Sequence, residues 1–301
     1  MTTPHSMHFD ISIIICTHNP RKDIFERVLD GLKIQTLEKN KWELLIIDNS
    51  SKNPVQDEYE LSWHPNAKIF IEEELGLTPA RLRGITEAKS PLLIFVDDDN
   101  ILEKNYLKVA LDIYEKYPFV GAFGGNCIAE FEENPPGYLA HIRTPGTRRV
   151  TRDTWSNDYA SKFRPIGAGM VIHKKIAQKY KSLMLNDNKR KSLDRKGNNL
   201  MSAGDTDMAY VAIDYGLGYG LFKDLSLIHI IPANRMEKSY LLNWRKMTRF
   251  SNLVLQYIRF GKIPDLPNTS LKFKLSKIYR YFKYDSFYRR YLDMNREAVL
   301  L

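Results

Sequence analysis

Three consecutive aspartates, Asp97, Asp98 and Asp99, directly follow a run of five apolar residues that begins at Leu92. That run, preceded by Pro91, is typical of a fully buried strand. Carboxylates placed so close together repel one another, and a divalent cation that prefers oxygen ligands offsets the repulsion. A cation held at the end of a strand can also neutralise a phosphate-bearing substrate. The alternative is a solvated turn in which one aspartate caps the next helix.

A second pair of carboxylates, Asp205 and Asp207, lies at the predicted start of a helix, next to Gly204 and small residues. One aspartate in that position could be a plain helix N-cap, but small residues also let a substrate approach the backbone closely. Further along, His229 lies inside an apolar run that predicts a strand over residues 225–230. A lone histidine there is usually a buried core residue. It becomes a metal-ligand candidate only if the sheet brings it to the three aspartates.

Strands and helices alternate along the first part of the chain. Continuous apolar runs predict strands, and apolar residues that recur on one helical face predict helices. The predicted strands cover residues 11–16, 44–47, 68–71 and 92–96, and the predicted helices cover 21–35, 78–88 and 106–114. Thr78 is expected to cap the second of these helices with its hydroxyl, with Pro79 in the first turn. This alternation requires an α/β fold in which helices cover both faces of a parallel sheet.

Thr17, Asp48 and Asp97 each lie at the carboxyl end of a different predicted strand. In an open parallel sheet these ends share one edge, and ligands bind in the crevice outside it. Each residue alone could simply begin a turn, but the three together favour a nucleotide pocket. Neither a GxGxxG after the first strand nor a Walker A motif occurs, which disfavours a dinucleotide cofactor and a P-loop NTPase.

Six segments of the chain, in their order, resemble family 2 glycosyltransferases of the GT-A fold. The segments are IIICTHN at 13–19, LIIDNS at 45–50, LGLTPAR at 75–81, FVDDD at 95–99, SAGDTD at 202–207 and IHIIP at 228–232. The resemblance runs from about residue 11 to about residue 235. It implies an α/β GT-A fold with a mixed, mainly parallel sheet, helices on both faces and a C-terminal helical extension.

The resemblance also implies the roles of individual residues. It places a nucleotide sugar against Thr17, Asn19, Asp48, Arg81, Asp97 and Asp98, a Mg²⁺ or Mn²⁺ ion on Asp99 and His229, and the catalytic base at Asp205. One departure from the family pattern is Gly204, because many members carry glutamate at this position. Asp205 must then act as the base without that neighbour.

The expected reaction is the inverting transfer of a sugar from a nucleoside-diphosphate sugar, with uridine the default base, to a hydroxyl of a glycan or lipid-linked acceptor. Synthesis of a surface polysaccharide is the expected setting. A metal stabilises the diphosphate leaving group, and the base takes the proton of the attacking hydroxyl. We expect Trp155, Asp207 and Arg235 to contact the acceptor, and the loop over residues 130–165 to close over it.

The predicted domain organisation is linear. Residues 1–9 form a flexible tail, 10–236 the catalytic domain and 237–301 a helical extension. The catalytic domain divides into a nucleotide-sugar half over 10–129 and an acceptor half over 130–236. The extension begins with a helix over 239–260, and its segment 271–291 interleaves basic and aromatic residues, which suits an anionic membrane surface. Helical packing or formation of a homodimer accounts for that segment as well.

Composition sets the outer limits of these interpretations. The chain has 301 residues, 43% of them hydrophobic, and no apolar stretch long enough for a membrane span. The polar N-terminus and two isolated cysteines favour the cytoplasm, with peripheral contact at the inner face of the membrane left open. The net charge of +9 permits nucleic acid, but no helix-turn-helix, RRM or zinc pattern supports it. The alternatives are a metal-dependent nucleotidyltransferase or sugar-phosphate hydrolase, and a basic nucleic-acid-binding protein.

Overall fold

The computed structural model describes residues 9–142, 144–195, 197, 199–262 and 286–301. The strands are β1 (Ile11–Thr17), β2 (Trp42–Asp48), β3 (Ala67–Ile71), β4 (Leu92–Asp97), β5 (Asn100–Leu102), β6 (Val120–Phe131), β7 (Thr154–Ser156), β8 (Met170–His173) and β9 (Gly218–Ile231). The helices are α1 (Lys22–Lys33), α2 (Val55–Glu58), α3 (Leu77–Glu87), α4 (Tyr106–Lys116), α5 (Lys174–Leu185), α6 (Asn188–Lys191), α7 (Gly204–Asp214), α8 (Lys238–Phe260) and α9 (Ser286–Glu297).

Within these described residues the nine strands form one sheet, in the order β3-β2-β1-β4-β8-β6-β9-β5, with β7 paired to β9. The β3-β2-β1-β4 part is parallel. Strand β8 pairs antiparallel with β4 and β6, and β9 pairs antiparallel with β5 and β7. The predicted α/β fold with a mixed sheet is therefore confirmed.

The two faces of β1 show why helices cover the sheet on both sides. Successive side chains of a strand point to opposite faces. Ile13 and Ile15 share one apolar cluster with Phe25 of α1. Ile14 points to the other face, where its methyl carbon would lie 2.4 Å from a Cβ added at Gly84 of α3. Each helix therefore buries its apolar stripe against one face of the same strand.

Strand register brings the polar strand ends together. Thr17 is paired with Asp48 in the β1–β2 ladder, and Cys16 is paired with Asp97 in the β1–β4 ladder. The carboxyl ends of β1, β2 and β4 thus form one edge of the sheet, as predicted from their apolar runs.

Two predictions about local structure are wrong. Thr78 does not cap α3, because the helix begins one residue earlier, at Leu77, and Gly76 is its N-cap without a side-chain cap bond. Gly76 enters the helix with a φ of 136°, a conformation that favours glycine. Second, the stretch over residues 130–165 is not without regular structure, since Trp155 lies on strand β7.

The chain forms two compact units that interleave along the sequence. The first unit comprises Met1–Ala129, Gly146–Asn186 and Asp205–Ile230, and it holds most of the sheet. The second unit comprises Glu130–Pro145, Asp187–Gly204 and Ile231–Leu301. One break between the units coincides with the predicted boundary at 129, but the units interleave along the sequence, and the predicted domain organisation stays a prediction.

In the second unit, α8 covers the helix predicted over 239–260 and packs with α9. Phe287 and Tyr291 of α9 are buried, with the cations of Lys238 and Arg245 over their rings. These two aromatics are thus part of the unit's packing, whereas residues 271–285 of the predicted membrane-binding segment lie outside the described residues. Among the helices described, none is long and apolar enough to span a bilayer.

Candidate active site

The exits of β1 and β4 are joined by a side-chain hydrogen bond. The Thr17 hydroxyl donates to Oδ2 of Asp98 over 2.5 Å, across 81 residues of sequence. Both side chains were predicted to line a nucleotide pocket. The bond shows that strand register alone is enough to bring these two residues together.

Asp48 organises the loop after β2. Its Oδ1 accepts from the amide of Ser51 over 2.9 Å, and its Oδ2 accepts from the amide of Val55 over 2.9 Å. Asp48 therefore stabilises the turn after β2, as aspartate side chains commonly do by accepting hydrogen bonds from nearby backbone amides. Since each carboxylate oxygen has two lone pairs, a further bond to a nucleotide is not blocked.

Asn19 links the loops after β1 and β2. It adopts a left-handed φ of 51°, which asparagine tolerates better than most residues. Its side-chain oxygen accepts from the amide of Lys52 over 2.7 Å, and its own amide donates to Ser51 over 2.8 Å. The predicted nucleotide contacts Thr17, Asn19 and Asp48 thus belong to one connected set of loops.

Asn49 was not singled out from the sequence, although it is buried at the centre of these loops. Its side-chain amide donates to the carbonyls of Glu72 and Glu74, and its Oδ1 accepts from the amide of Gly76 over 2.8 Å. Asn49 therefore fixes the segment that leads into α3, the helix that carries Arg81. The only sequence signal for it is its position beside Asp48.

The structure brings His229 to the aspartate edge, which was the condition for treating it as a ligand candidate. Asn100 of β5 is paired with His229 of β9, and the Ile230 amide donates to the carbonyl of Asp99 over 3.0 Å. As a result, Nε2 of His229 lies 3.4 Å from Oδ2 of Asp99. The other Asp99 oxygen accepts from the Asn100 side chain over 2.9 Å.

Gly146 holds the opposite side of the imidazole. Nδ1 of His229 lies 3.2 Å from the Gly146 carbonyl, which also accepts from the Cys127 thiol over 2.8 Å. Gly146 has a φ of 71°, and a Cβ there would lie 2.3 Å from Cε1 of the ring. Only glycine allows this approach, so the carbonyl can fix the ring nitrogen that faces away from Asp99.

The electrostatics of His229 follow from these neighbours. Burial by itself lowers the pKa of His229, but the hydrogen bonds and charge interactions with Asp99 and Cys127 raise it, to about 10 overall. The imidazole is therefore a cation at neutral pH when no metal is bound. A metal that binds to it must displace this proton.

Asp99 and His229 are the two predicted metal ligands. In the part of the chain that the structure describes, no group of three or more His, Cys, Asp or Glu side chains is placed to hold an ion. The spacing of the pair is compatible with one ion, because two neighbouring donors on Mg²⁺, with bonds of about 2.1 Å, lie about 3 Å apart. Mg²⁺ is commonly bound by one or two carboxylates together with substrate phosphates and water, so Asp99 is the ligand type that it prefers, whereas imidazole suits softer metals better.

Asp205, the predicted base, lies in the first turn of α7 and is half-buried. Its Oδ2 accepts from the amide of Gly167 over 2.8 Å, and its Oδ1 accepts from the amide of Thr206 over 2.6 Å. These two backbone donors fix the orientation of the carboxylate. Sequence reasoning missed Gly167, because it acts through its backbone and from 38 residues away.

Arg81 meets Asp205 at Gly167. A Cβ added at Gly167 would lie 2.9 Å from Nη2 of Arg81 and 3.4 Å from Cβ of Asp205. The Arg81 side chain is buried, with 6% of the residue exposed. A guanidinium and a carboxylate thus share the space beside one glycine.

The loop before Gly167 is tied to α7 and β9 by tyrosines. Tyr159 donates to Asp214 over 2.5 Å, Tyr210 donates to the carbonyl of Tyr159 over 2.8 Å, and Tyr219 donates to the carbonyl of Asp158 over 2.5 Å. Because Asp214 and Tyr210 lie on α7, the loop and the helix that carries Asp205 are held together.

A short path connects the Asp205 group to the Asp99 group. Gly167 lies two residues before Gly169, and a Cβ at Gly169 would lie 2.4 Å from the Leu227 side chain. Leu227 lies two residues before His229 on β9. Because two residues span at most about 7 Å, these steps put the Asp205 carboxylate and the His229 backbone within roughly 25 Å of each other. Both residues lie in the first unit.

The three predicted acceptor contacts lie on different elements, and their acceptor roles stay predictions. Trp155 is 51% exposed, packs on Phe119 at 4.9 Å between ring centroids, and pairs with Gly220, nine residues before His229 on β9. That spacing corresponds to roughly 30 Å of strand. Asp207 is fully buried. Arg235 lies in the second unit, in the short helix Ala233–Met236, and its acceptor role stays a prediction.

Comparison with known proteins identifies the family. Residues 12–181, more than half of the chain, match the model of glycosyl transferase family 2. The protein therefore belongs to glycosyl transferase family 2.

Two curated relatives align with about a third of the chain. A glycosyltransferase of Haloferax volcanii, AglE, is 31% identical over 93 residues, 30% of this chain and 30% of the relative. A cholesterol galactosyltransferase of Borreliella burgdorferi is 30% identical over 104 residues, 34% of this chain and 28% of the relative. The aligned stretch thus spans less than a third of either relative.

Solved structures of S. aureus TarS share the fold. The fragment 1–349 superposes with a TM-score of 0.51 at 14% identity, covering 97% of this chain and 82% of that one. Its complex with UDP-GlcNAc superposes with a TM-score of 0.52 at 14% identity, covering 91% of this chain and 72% of that one. Together with the family match, these likenesses confirm the GT-A fold.

Proposed function

We propose that this protein is an inverting glycosyltransferase that moves a sugar from a nucleoside-diphosphate sugar to an acceptor hydroxyl. The observation that carries the proposal is the Asp205 carboxylate, oriented by the Gly167 amide and placed beside the buried Arg81. Family membership and the Asp99–His229 pair at the end of β4 support it.

Asp205 is the general base in this proposal. Both of its oxygens already accept backbone hydrogen bonds, so the carboxylate is held in one orientation while lone pairs remain for the acceptor hydroxyl. As the hydroxyl oxygen attacks C1 of the sugar, its proton passes to Asp205 and the bond from C1 to the diphosphate breaks. General bases of this kind contribute on the order of 10²–10⁴-fold in rate.

Arg81 stabilises the leaving group. A buried guanidinium forms strong charge-assisted hydrogen bonds with phosphate oxygens. Because Arg81 lies beside Asp205 at Gly167, the departing diphosphate and the attacking hydroxyl would be close to oppositely charged side chains. Attack and departure from opposite sides of C1 invert the anomeric configuration.

Asp99 and His229 would hold a Mg²⁺ or Mn²⁺ ion. Bound there, the ion would supply charge compensation for the diphosphate. The protein's own contribution is orientation, because Asn100 fixes the Asp99 carboxylate and the Gly146 carbonyl fixes the imidazole. Thr17, Asn19, Asp48, Asp97 and Asp98 would contact the nucleotide. We propose uridine as its base, which the UDP-GlcNAc complex of TarS supports by analogy.

For the acceptor we propose a glycan or a lipid-linked glycan, in surface polysaccharide synthesis at the cytoplasmic face of a membrane. The basic surface of the chain, with a net charge of +9, favours an anionic membrane. Phe287 and Tyr291 are buried and therefore do not contribute to such contact.

The direct test uses UDP sugars and Mn²⁺, with and without a lipid-linked glycan. A transferase releases UDP in proportion to glycosylated acceptor. Release of UMP and a sugar phosphate without any acceptor would instead identify a hydrolase acting through the same carboxylates. Release of pyrophosphate from UTP and a sugar phosphate, in a parallel assay, would identify a nucleotidyltransferase. Salt-sensitive DNA binding that survives Asp99→Ala would favour the nucleic-acid alternative.

A further inference from the structure

Asp194 is a buried carboxylate to which the proposed mechanism gives no role. It lies in the second unit, with only 5% of the residue exposed. Removing a carboxylate from water is costly unless its surroundings compensate the charge. A protein keeps such a group where its charge or its hydrogen bonds are useful, so its location is informative.

The carboxylate of Asp194 occupies the place of a side chain at Gly204. A Cβ added at Gly204 would lie 2.3 Å from Oδ2 of Asp194 and 2.4 Å from its Cγ and Oδ1. No real Cβ tolerates such distances, so any side chain at 204 would have to displace the Asp194 carboxylate.

The backbone around this pair is fixed. The amide of Ala203 donates to the carbonyl of Leu193 over 2.9 Å, and both residues are fully buried. Residues 193–194 therefore run alongside 203–204, which holds the Asp194 side chain against Gly204. This contact depends on packing rather than on a flexible surface segment.

Gly204 is the first residue of α7, and Asp205 follows it directly. The first amides of a helix have no partner within the helix, and the N-terminal end carries a partial positive charge. A carboxylate at this end is therefore electrostatically favourable. The first turn of the helix determines where the Asp205 side chain points.

We infer that Asp194 is a positioning residue for the transfer reaction, holding the first turn of α7 so that Asp205 is aligned with the acceptor hydroxyl. The inference rests on the proposed role of Asp205 as the base. The inference also accounts for the glycine at position 204. Here the carboxylate next to the base belongs to Asp194, and not to a glutamate at 204.

The test is an exchange of the carboxylate between the two positions. Asp194→Asn, which keeps the shape and removes the charge, should lower kcat about tenfold or more while leaving the donor KM within about twofold, because misalignment acts on the chemical step. Gly204→Glu alone should be impaired by collision with Asp194. The double variant Gly204→Glu/Asp194→Ala should recover most of the wild-type kcat.

Asp187→Asn is the matched control, since Asp187 lies in the same segment and caps the short helix α6 by accepting from the amides of Lys189 and Arg190. It should leave kcat unchanged. The melting temperature of each variant shows whether a loss of kcat is due to a folding defect or to misalignment of Asp205. An Asp194→Asn enzyme with wild-type kcat, or a double variant no better than Gly204→Glu, overturns the inference.

The variant Asp205→Asn shows whether a negative result concerns only the positioning role of Asp194 or also the proposed function. If Asp205→Asn is inactive and Asp194→Asn is fully active, only the positioning role is wrong. If Asp205→Asn retains turnover, the base assignment and the inference built on it are both wrong.

Discussion

The amide of Gly167 donates a hydrogen bond to Oδ2 of Asp205 over 2.8 Å, and Nη2 of Arg81 lies beside the same glycine. A backbone donor cannot rotate away as a side chain can, so the carboxylate has one preferred orientation. The region beside Gly167 therefore combines an oriented carboxylate with a buried cation. Preorganised groups of this kind are the main source of catalytic electrostatics.

Gly167→Ala should reduce kcat/KM for transfer about tenfold or more, because the added methyl group displaces Arg81 or Asp205. Steady-state kinetics measure the effect. Gly137→Ala is the matched control, since a Cβ there meets nothing within 4 Å. Equal kinetics for the two variants would show that the Gly167 contact is not needed for transfer.

Asp99→Asn should abolish the enhancement of UDP-sugar binding by Mn²⁺, because the side chain loses the negative charge that faces His229. Isothermal titration calorimetry with and without Mn²⁺ measures the affinity for the UDP sugar. Asp112→Asn, on the exposed face of α4, should behave as wild type. Unchanged Mn²⁺-dependent binding in Asp99→Asn would refute the metal role.

Gly146→Ala should weaken Mn²⁺-dependent donor binding by about 10–100-fold, the usual cost of disturbing a group that orients a metal ligand. The physical reason is the distance of 2.3 Å between the added Cβ and the His229 ring. The same titration measures the change, with melting temperature as the folding control. Full Mn²⁺ response in a folded Gly146→Ala protein would exclude this role of the carbonyl.

The free energy of unfolding should fall as pH decreases from about 6.5 towards 4. Burial lowers the pKa of both His64 and His173 to about 4. The unfolded chain binds protons at these histidines below about pH 6.5, whereas the folded chain does not until pH 4. Unfolding therefore takes up protons in this window, and acid favours the unfolded state.

Urea unfolding at about pH 7 and about pH 4.5 measures this dependence. In the double variant His64→Gln/His173→Gln, the loss of stability between the two pH values should be smaller than in wild type. An identical loss in both proteins would assign the acid sensitivity to other groups.

Strand periodicity was sufficient to predict the edge where Thr17, Asp48 and Asp97 meet, because buried parallel strands have apolar runs of recognisable length. The resemblance added His229, and the pairing of β5 with β9 then placed it beside Asp99. These features follow from local pattern and from rules of sheet topology.

Other parts of the site could not be predicted. Gly167, Gly146 and Asp194 act through backbone groups or through contacts with distant segments, and no spacing in the sequence marks them. The acceptor role of Trp155 stays a prediction. An aromatic in a long polar stretch suggests sugar stacking, but its ring packs on Phe119 beside the start of β9.

The central claim is that Asp205 takes the proton of the acceptor hydroxyl. The most direct measurement compares Asp205→Asn with wild type for donor binding and for acceptor-dependent UDP release. We expect Asp205→Asn to bind a UDP sugar and Mn²⁺ with unchanged affinity, and its turnover to be reduced by about 10²-fold or more. Turnover within a few-fold of wild type would contradict this claim.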